Sequence, residues 1–130
     1  MAVNTSPIFS KRGEIQWQEP GPLVAANTAK DGTGTVATVF TAGADGSYVQ
    51  KLVARAVGTN VATVLRVFVN NGGSNAVGAN NSLISEMTLP ATTLSEVAAQ
   101  PPYELPLSFA LPAGYSLLCT IGTAVASGYE

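Results

Sequence analysis

The sequence predicts an all-β fold: a single-domain antiparallel β-sandwich, jelly-roll-like, with seven to eight strands and an extended N-terminal arm. Three features of the chain support this prediction. From residue 35 onward, stretches rich in β-branched residues alternate at regular spacing with loops rich in glycine, asparagine and proline. No long segment has the 3.6-residue apolar period of a helix, and residues 103–111 alternate between large apolar and other side chains. Short strands of this kind typically assemble into sandwiches or jelly rolls.

Residues 1–34 are predicted to be an extended arm or edge segment, and residues 35–130 the β-sandwich domain. The first segment holds most of the isolated charges and only small groups of apolar residues, so it cannot build a core of its own. Phe9 and Trp17, the only tryptophan, are predicted to dock on this subunit or on a neighbour. The alternative is a terminus that docks nowhere.

The predicted strands follow one another in chain order, each closed by a loop of turn-forming residues. They cover residues 35–41, 48–57, 62–70, 82–89, 103–111, 115–123 and 124–129. Before the fifth strand, Thr93 and Glu96 fit a capping box, which allows one short helical turn at most. Pro106 donates no ladder hydrogen bond, so its strand is expected to lie at an edge or to contain a bulge.

A two-residue turn at residues 59–60 would pair the second and third predicted strands in a hairpin. One face of that hairpin, with Leu52, Ala54 and Leu65, suits a core. On the other face, apolar side chains alternate with cations, whereas a solvated sheet face would be polar throughout. The members of this mixed face that we predict to contact protein are Val53, Arg55, Val64, Arg66 and Phe68.

The predicted protein interface therefore consists of these five residues together with Phe9 and Trp17. In a contact between subunits, the two arginines would be partners for carboxylates such as Glu86 or Glu104. The alternative, that the N-terminal arm or another loop of the same chain covers this face, stays open on the sequence alone.

The composition limits the classes of partner. The 130 residues suffice for one domain with its own core. Charged residues make up 11% of the chain with a net charge of −2, against about 25% in a typical soluble domain, so no nucleic-acid partner is predicted. No basic segment followed by an apolar stretch opens the chain, and no apolar run approaches the roughly 18 residues of a membrane span. Neither a signal peptide nor a membrane partner is predicted.

The side-chain inventory predicts a protein that is not an enzyme. The chain has no histidine and one cysteine, so it lacks the commonest catalytic base, the usual transition-metal ligand and an internal disulfide. Its carboxylates are widely spaced, and no glycine-rich phosphate loop precedes a helix. We predict no catalytic residue, no metal ligand and no cofactor, and we expect Cys119 to be a buried apolar side chain.

Residues 35–129 resemble small β-sandwich structural proteins of tailed bacteriophages and prophages. The resemblance lies in strand-and-turn patterns: VLRVFVNNG at 64–72, EMTLPATTLSE at 86–96, LPAGY at 111–115 and GTA at 122–124. It implies a virion protein on the outer surface of the capsid, made in the bacterial host cytoplasm. In this role, a cement or decoration protein would bridge neighbouring major capsid proteins and associate with copies of itself as a dimer or trimer.

The alternative function is a tail-associated adhesin or carbohydrate-binding β-sandwich module. Such a protein needs exposed aromatic side chains in a shallow groove. The candidates in this chain are Trp17, Tyr48, Tyr103, Tyr115 and Tyr129. Tyr103 and Tyr115 lie at strand ends, where a tyrosine is typically half-buried with its hydroxyl toward water.

Overall fold

A computed structural model describes residues 21–130, which form six β-strands in two antiparallel sheets. The strands are β1 (Ala37–Thr41), β2 (Ser47–Arg55), β3 (Thr63–Asn70), β4 (Asn81–Leu89), β5 (Pro102–Leu111) and β6 (Ser116–Ile121). In this part of the chain the only helical element is the 3-10 turn Gly78–Asn80. The all-β prediction is confirmed, and each of the six strands begins and ends within two residues of its predicted bounds.

The strand predicted at residues 124–129 does not form, so the described residues hold six strands rather than seven or eight. Only Tyr129 makes bridges there, one to Leu23 and one to Ala56. Gly128, the residue before it, has a φ of 90°, which a continuous strand does not adopt. The last residues therefore make a short contact between two neighbouring segments instead of a ladder.

The strands pair in a nested order along the chain. β1 pairs with β6, β2 with β5 and β3 with β4, all antiparallel. A further antiparallel pairing of β3 with β6 joins two of these pairs into a four-stranded sheet of order β1-β6-β3-β4, opposite the two-stranded sheet β2-β5. The chain consequently passes from one sheet to the other four times. The connections β1–β2 and β5–β6 lie at one end of the strands, and the connections β2–β3 and β4–β5 lie at the other end.

The predicted hairpin of the second and third strands is wrong, because β2 and β3 belong to different sheets. The connection between them is held by other partners: Ala56 bridges Tyr129, and Asn60 bridges Thr92. Ala54 and Leu65 are nevertheless both buried, as predicted for the inner face. Period-two alternation identified which side chains turn inward but not which strand lies beside them.

One apolar core lies between the two sheets. It combines residues of both, including Val49 and Leu111 from the two-stranded sheet with Leu65, Val67 and Leu117 from the four-stranded sheet. Burial of side chains of this size contributes about 1.5–3 kcal/mol each. The two sheets therefore depend on each other for most of their stability.

Phe68 and its cross-strand neighbour Leu118 are buried outside this core cluster. On the same face of the sheet as Phe68, Arg66 Nη1 donates to the Asn27 carbonyl at 3.4 Å. The segment 26–34 continues from a bridge between Ala26 and Ile121 to the other end of β3 and β4, where Asn81 Nδ2 donates to the Asp31 carbonyl. This segment of the chain itself thus lies over the face that carries Phe68.

Pro106 lies in an edge strand beside a bulge, as predicted. Between the pairs Val49↔Phe109 and Lys51↔Pro106, β5 has two residues and β2 has one. Within the bulge, Ser108 has a φ of 52° and is the only non-glycine residue of the described chain with a positive φ. A side chain in this left-handed conformation costs about 1–2 kcal/mol, and glycine avoids that cost.

Ser108→Gly should therefore stabilise the protein by about 0.5–1 kcal/mol in urea unfolding, because Ser108 is exposed and makes the bulge only through its backbone. Ala110→Gly, on the same strand at an ordinary φ, is the matched control and should lower stability by a similar amount. A Ser108→Gly variant less stable than the wild type would contradict the strain argument.

Cys119 is a buried apolar residue of β6, as predicted, with 3% of its surface exposed. Burial raises the pKa of its thiol to about 12 from an ordinary 9.0, because the thiolate would lose its hydration. Between these two pH values the unfolded chain loses a proton that the folded chain keeps. Unfolding is therefore favoured as the pH rises.

Cys119→Ala should flatten the fall of the unfolding free energy between pH 9 and pH 10.5 by up to about 1.4 kcal/mol per pH unit. Burial also raises the pKa of Tyr129, but this effect is common to both proteins. Urea unfolding at several pH values measures the two slopes. Equal slopes would show that the thiol ionises as readily in the folded chain as in the unfolded one.

Candidate protein interface

Three connecting segments meet at one end of the molecule: residues 56–62, 90–101 and 122–129. We call this end the loop pole. Asn60 and Thr92 exchange two backbone hydrogen bonds, of 3.2 Å and 2.9 Å, which join the first two segments. The Thr92 hydroxyl also donates to the Gly58 carbonyl at 2.8 Å.

The side chain of Asn60 joins the third segment to the other two. Its Nδ2 donates to the Gly128 carbonyl at 3.0 Å, and its Oδ1 accepts from the backbone N–H groups of Ser127 and Gly128, both at 2.8 Å. Asn60 is 3% exposed, so water does not replace these bonds. The backbone at Gly58 lies so close to Ser127 that a Cβ at position 58 would be 2.6 Å from the Ser127 hydroxyl oxygen. A glycine is therefore required at this contact.

The second segment presents large apolar side chains to solvent. Val97 is 97% exposed and Leu94 is 56% exposed, and Val61 of the adjoining segment is 56% exposed. We call these three residues the apolar tip. The predicted capping box forms no helix here. Instead, the Ser95 hydroxyl accepts from the N–H groups of Val97 and Ala98, which folds the loop into a bend.

The apolar tip is held in place although its side chains are exposed. The Leu94 N–H donates to the Thr59 hydroxyl at 2.9 Å, and Gln100 Nε2 donates to the Thr93 carbonyl at 2.6 Å. These bonds connect the loop to itself and to the segment that contains Asn60. The loop therefore presents Leu94 and Val97 from an ordered backbone.

A shallow groove of about 340 Å³ lies at the same pole, on the outer side of the four-stranded sheet. Its lining comes from the residue before β3, from β3 and β4, and from the residues that follow β6: Ala62, Thr63, Val64, Arg66, Thr88, Gly122 and Thr123. The Thr63 hydroxyl accepts from the Thr123 N–H at 2.9 Å, which fixes one wall. We call this feature the groove.

Among the described residues, Arg66 is the one cation that lines the groove. Its Nε donates to Glu86 Oε1 at 2.8 Å, and its guanidinium lies over Gly122, where a Cβ would be 3.3 Å from Nη1. The Arg66 side chain is 12% exposed, and Glu86 is 47% exposed. An ion pair with one exposed member contributes little stability, so its main effect is to hold the arginine flat along the groove.

The structure separates the residues predicted to form one interface. Val64 and Arg66 line the groove, whereas Val53 and Arg55 lie exposed on the two-stranded sheet. Phe68 is fully buried. Phe9 and Trp17 lie outside the described residues, so their docking stays a prediction.

The carboxylates named as partners for these arginines bind within the chain. Glu86 pairs with Arg66, and Glu104 pairs with Lys51 at 2.9 Å rather than with Arg55. The second pair joins neighbouring strands, since Lys51 and Glu104 lie on β2 and β5. Both contacts are internal, so they leave the contact between subunits untested.

Sequence reasoning did not identify Asn60 or the apolar tip as features of the surface. The sequence predicts a hairpin turn at residues 59–60, and the capping box of Thr93 and Glu96 predicts one short helical turn at most. One signal was present: a loop with a central leucine and valine and a single charge is unusual for solvent-exposed residues. Nothing in the sequence indicated which distant segments Asn60 would join.

Residues 21–130 contain no cluster of three or more histidine, cysteine, aspartate or glutamate side chains that could hold a metal ion. The same residues include no helix with the length and apolar character to cross a membrane. No protein family, curated protein or solved structure matches the chain. The site with the most developed geometry is the loop pole.

Asn60→Ala should destabilise the protein by about 2–4 kcal/mol, because it leaves the buried N–H groups of Ser127 and Gly128 without an acceptor. Asn71→Ala is the matched control: Asn71 also accepts from a backbone N–H, that of Gly73, but is exposed to water. That variant should lose less than about 0.5 kcal/mol. Urea unfolding distinguishes them, and equal losses would argue against the role of Asn60.

Proposed function

We propose that this protein is a structural virion protein of a tailed bacteriophage, a capsid cement or decoration protein that bridges neighbouring major capsid proteins on the outer surface of the head. It is made in the bacterial cytoplasm, and on the capsid it acts by binding and catalyses no reaction. The observation that carries the proposal is a surface rich in exposed apolar side chains and poor in charge. Its partners are the major capsid protein and further copies of this chain.

The pairing of the strands supports a jelly-roll β-sandwich. A jelly roll is a long hairpin rolled up on itself. Its first strand pairs with its last strand, its second with the last but one, and the two middle strands pair with each other. The pairs β1–β6, β2–β5 and β3–β4 follow this order. Jelly rolls are common in viral capsid and lectin domains, which agrees with the resemblance of residues 35–129 to phage structural proteins.

The surface supports a role in assembly. Within residues 21–130, the large apolar side chains with more than a third of their surface exposed are Val24, Tyr48, Val53, Val57, Val61, Val77, Leu83, Ile84, Leu94 and Val97. Only 11% of the residues carry a charge. Uncharged groups lose less solvation free energy than ions when a partner covers them. A subunit that grips two or three capsid proteins adds such contacts together, so each can be weak.

The second candidate, a carbohydrate-binding adhesin, has less support from the described residues. Among residues 21–130, Tyr48 is the one aromatic residue with more than 36% of its surface exposed, at 60%. Tyr129 is buried and contacts Tyr103 with ring centroids 6.5 Å apart. A sugar platform needs several exposed rings together, and here the exposed ring is single.

Deletion of residues 2–22 should leave a folded β domain that binds capsid shells about tenfold more weakly, because Phe9 and Trp17 are then missing from the contact. The measurement is co-sedimentation with shells assembled from the major capsid protein encoded in the same genome, with circular dichroism to check the fold. Equal occupancy by the deleted and full chains would remove the arm from the proposal. Absence of binding by the full chain, together with a hit on a glycan array, would favour the adhesin.

A further inference from the structure

The loop between β3 and β4 contains the one dipeptide of this chain in which asparagine precedes glycine, Asn71-Gly72. Among the described asparagines, Asn71 is also the one that is exposed, whereas the others are half-buried or buried: Asn27, Asn60, Asn70, Asn75, Asn80 and Asn81. We infer that Asn71 is a site of covalent modification that needs no enzyme. Its side chain cyclises onto the backbone of Gly72 and is converted to aspartate and isoaspartate.

The fold requires a glycine after Asn71. Gly72 has a φ of 92°, in the left-handed region that favours glycine. A Cβ at this position would also lie 3.0 Å from the carbonyl oxygen of Gly114, which belongs to the backbone of another turn. Because Gly72 has no side chain, nothing on that residue blocks the approach of a carboxamide to its nitrogen. The turn therefore depends on the same residue that makes the dipeptide reactive.

The carboxamide of Asn71 is folded back along the backbone that follows it. Its Oδ1 accepts from the Gly73 N–H at 3.0 Å, which is the hydrogen bond of an Asx turn. A donor on this oxygen draws electron density from Cγ and stabilises the negative charge that the oxygen gains when a nucleophile attacks. The Asn71 side chain thus already has a hydrogen bond that favours attack at Cγ.

The reaction needs water and no other reagent. The backbone nitrogen of Gly72 forms a bond to Cγ of Asn71, and the bond from Cγ to Nδ2 breaks. The proton of the Gly72 N–H ends on the leaving nitrogen, which departs as ammonia and leaves a five-membered succinimide ring. Water then opens the ring at one of its two carbonyl carbons, which gives aspartate or isoaspartate at position 71.

The turn must open locally before the ring closes. The Gly72 N–H donates to Asn70 Oδ1 at 2.8 Å, and this bond has to break to free the nitrogen. Asn71, Gly72 and Gly73 are all exposed, so water can replace the bonds of this turn while the sheet stays folded. The fold therefore slows the reaction relative to the unfolded chain but does not prevent it.

The products change the end of the hairpin. Either one adds a negative charge to a chain with a net charge of −2. Asn71 Nδ2 donates to Asn80 Oδ1 at 3.2 Å, and the new carboxylate lacks this donor. Isoaspartate also places an extra methylene in the backbone next to Gly72, where the turn lies close to Gly114. The loop is expected to loosen beyond the last ladder pair, Asn70↔Asn81, while the core persists.

Incubation of the folded protein at neutral pH, followed by tandem mass spectrometry, tests the site. Conversion at Asn71 should be at least about tenfold faster than at Asn75 or Asn80, which lie in the same loop but precede alanine and asparagine. Enzymatic methylation of isoaspartate should detect the second product in the same samples. Asn71→Gln is the matched control, because it keeps a carboxamide but would have to close a six-membered ring, so neither product should form at this position.

Four outcomes would overturn the inference. These are equal rates at the three asparagines, conversion of Asn71 only in urea, conversion to aspartate without isoaspartate, and isoaspartate confined to the dipeptide Asp45-Gly46. The third outcome would indicate direct hydrolysis of the amide without a ring, and the fourth would assign the reaction to a different turn. None of these measurements involves capsid shells, so the result is independent of the proposed function.

Discussion

A single buried amide, the side chain of Asn60, holds together the end of the molecule at which the chain passes from β2 to β3 and from β4 to β5, two of its four passages between the sheets. The segments from β2 to β3 and from β4 to β5 cannot use a strand ladder for their backbone polar groups. Asn60 and Thr92 satisfy those groups instead, and the Asn60 side chain adds the segment that contains Gly128. Buried backbone groups require such partners, so the nested pairing depends on this local solution as much as on the core.

The same constraint explains how an apolar surface can be exposed without disorder. An unrestrained loop with Leu94 and Val97 would fold back on the protein to hide them, but this loop is bonded to Thr59 and to its own Ser95. On the sheet beside it, Phe68 is fully buried, and Arg66 on the same face bonds to the carbonyl of Asn27 in the segment that lies over that face. The chain thus covers one apolar surface and leaves another open, and only the open one is available to a partner.

Local structure was predictable from the sequence, and long-range contacts were not. Runs of β-branched residues fixed six strands, and Pro106 indicated the irregular edge, because both effects act within a few residues. Alternation placed Ala54 and Leu65 on an inner face but could not show that they belong to different sheets. Asn60 was unpredictable as a buried residue, since its burial comes from segments more than 30 positions away in the chain.

The pairing of charges within the chain determines what kind of contact its surface can make. Lys51 is matched by Glu104 and Arg66 by Glu86, so two of the few cations are already compensated before any partner arrives. A contact with such a surface owes little to long-range attraction between unlike charges, and salt screens it little. Its strength must come from apolar area and from the number of copies that bind together. The number of copies matters most for a small protein, because each added contact with a lattice acts at high effective concentration.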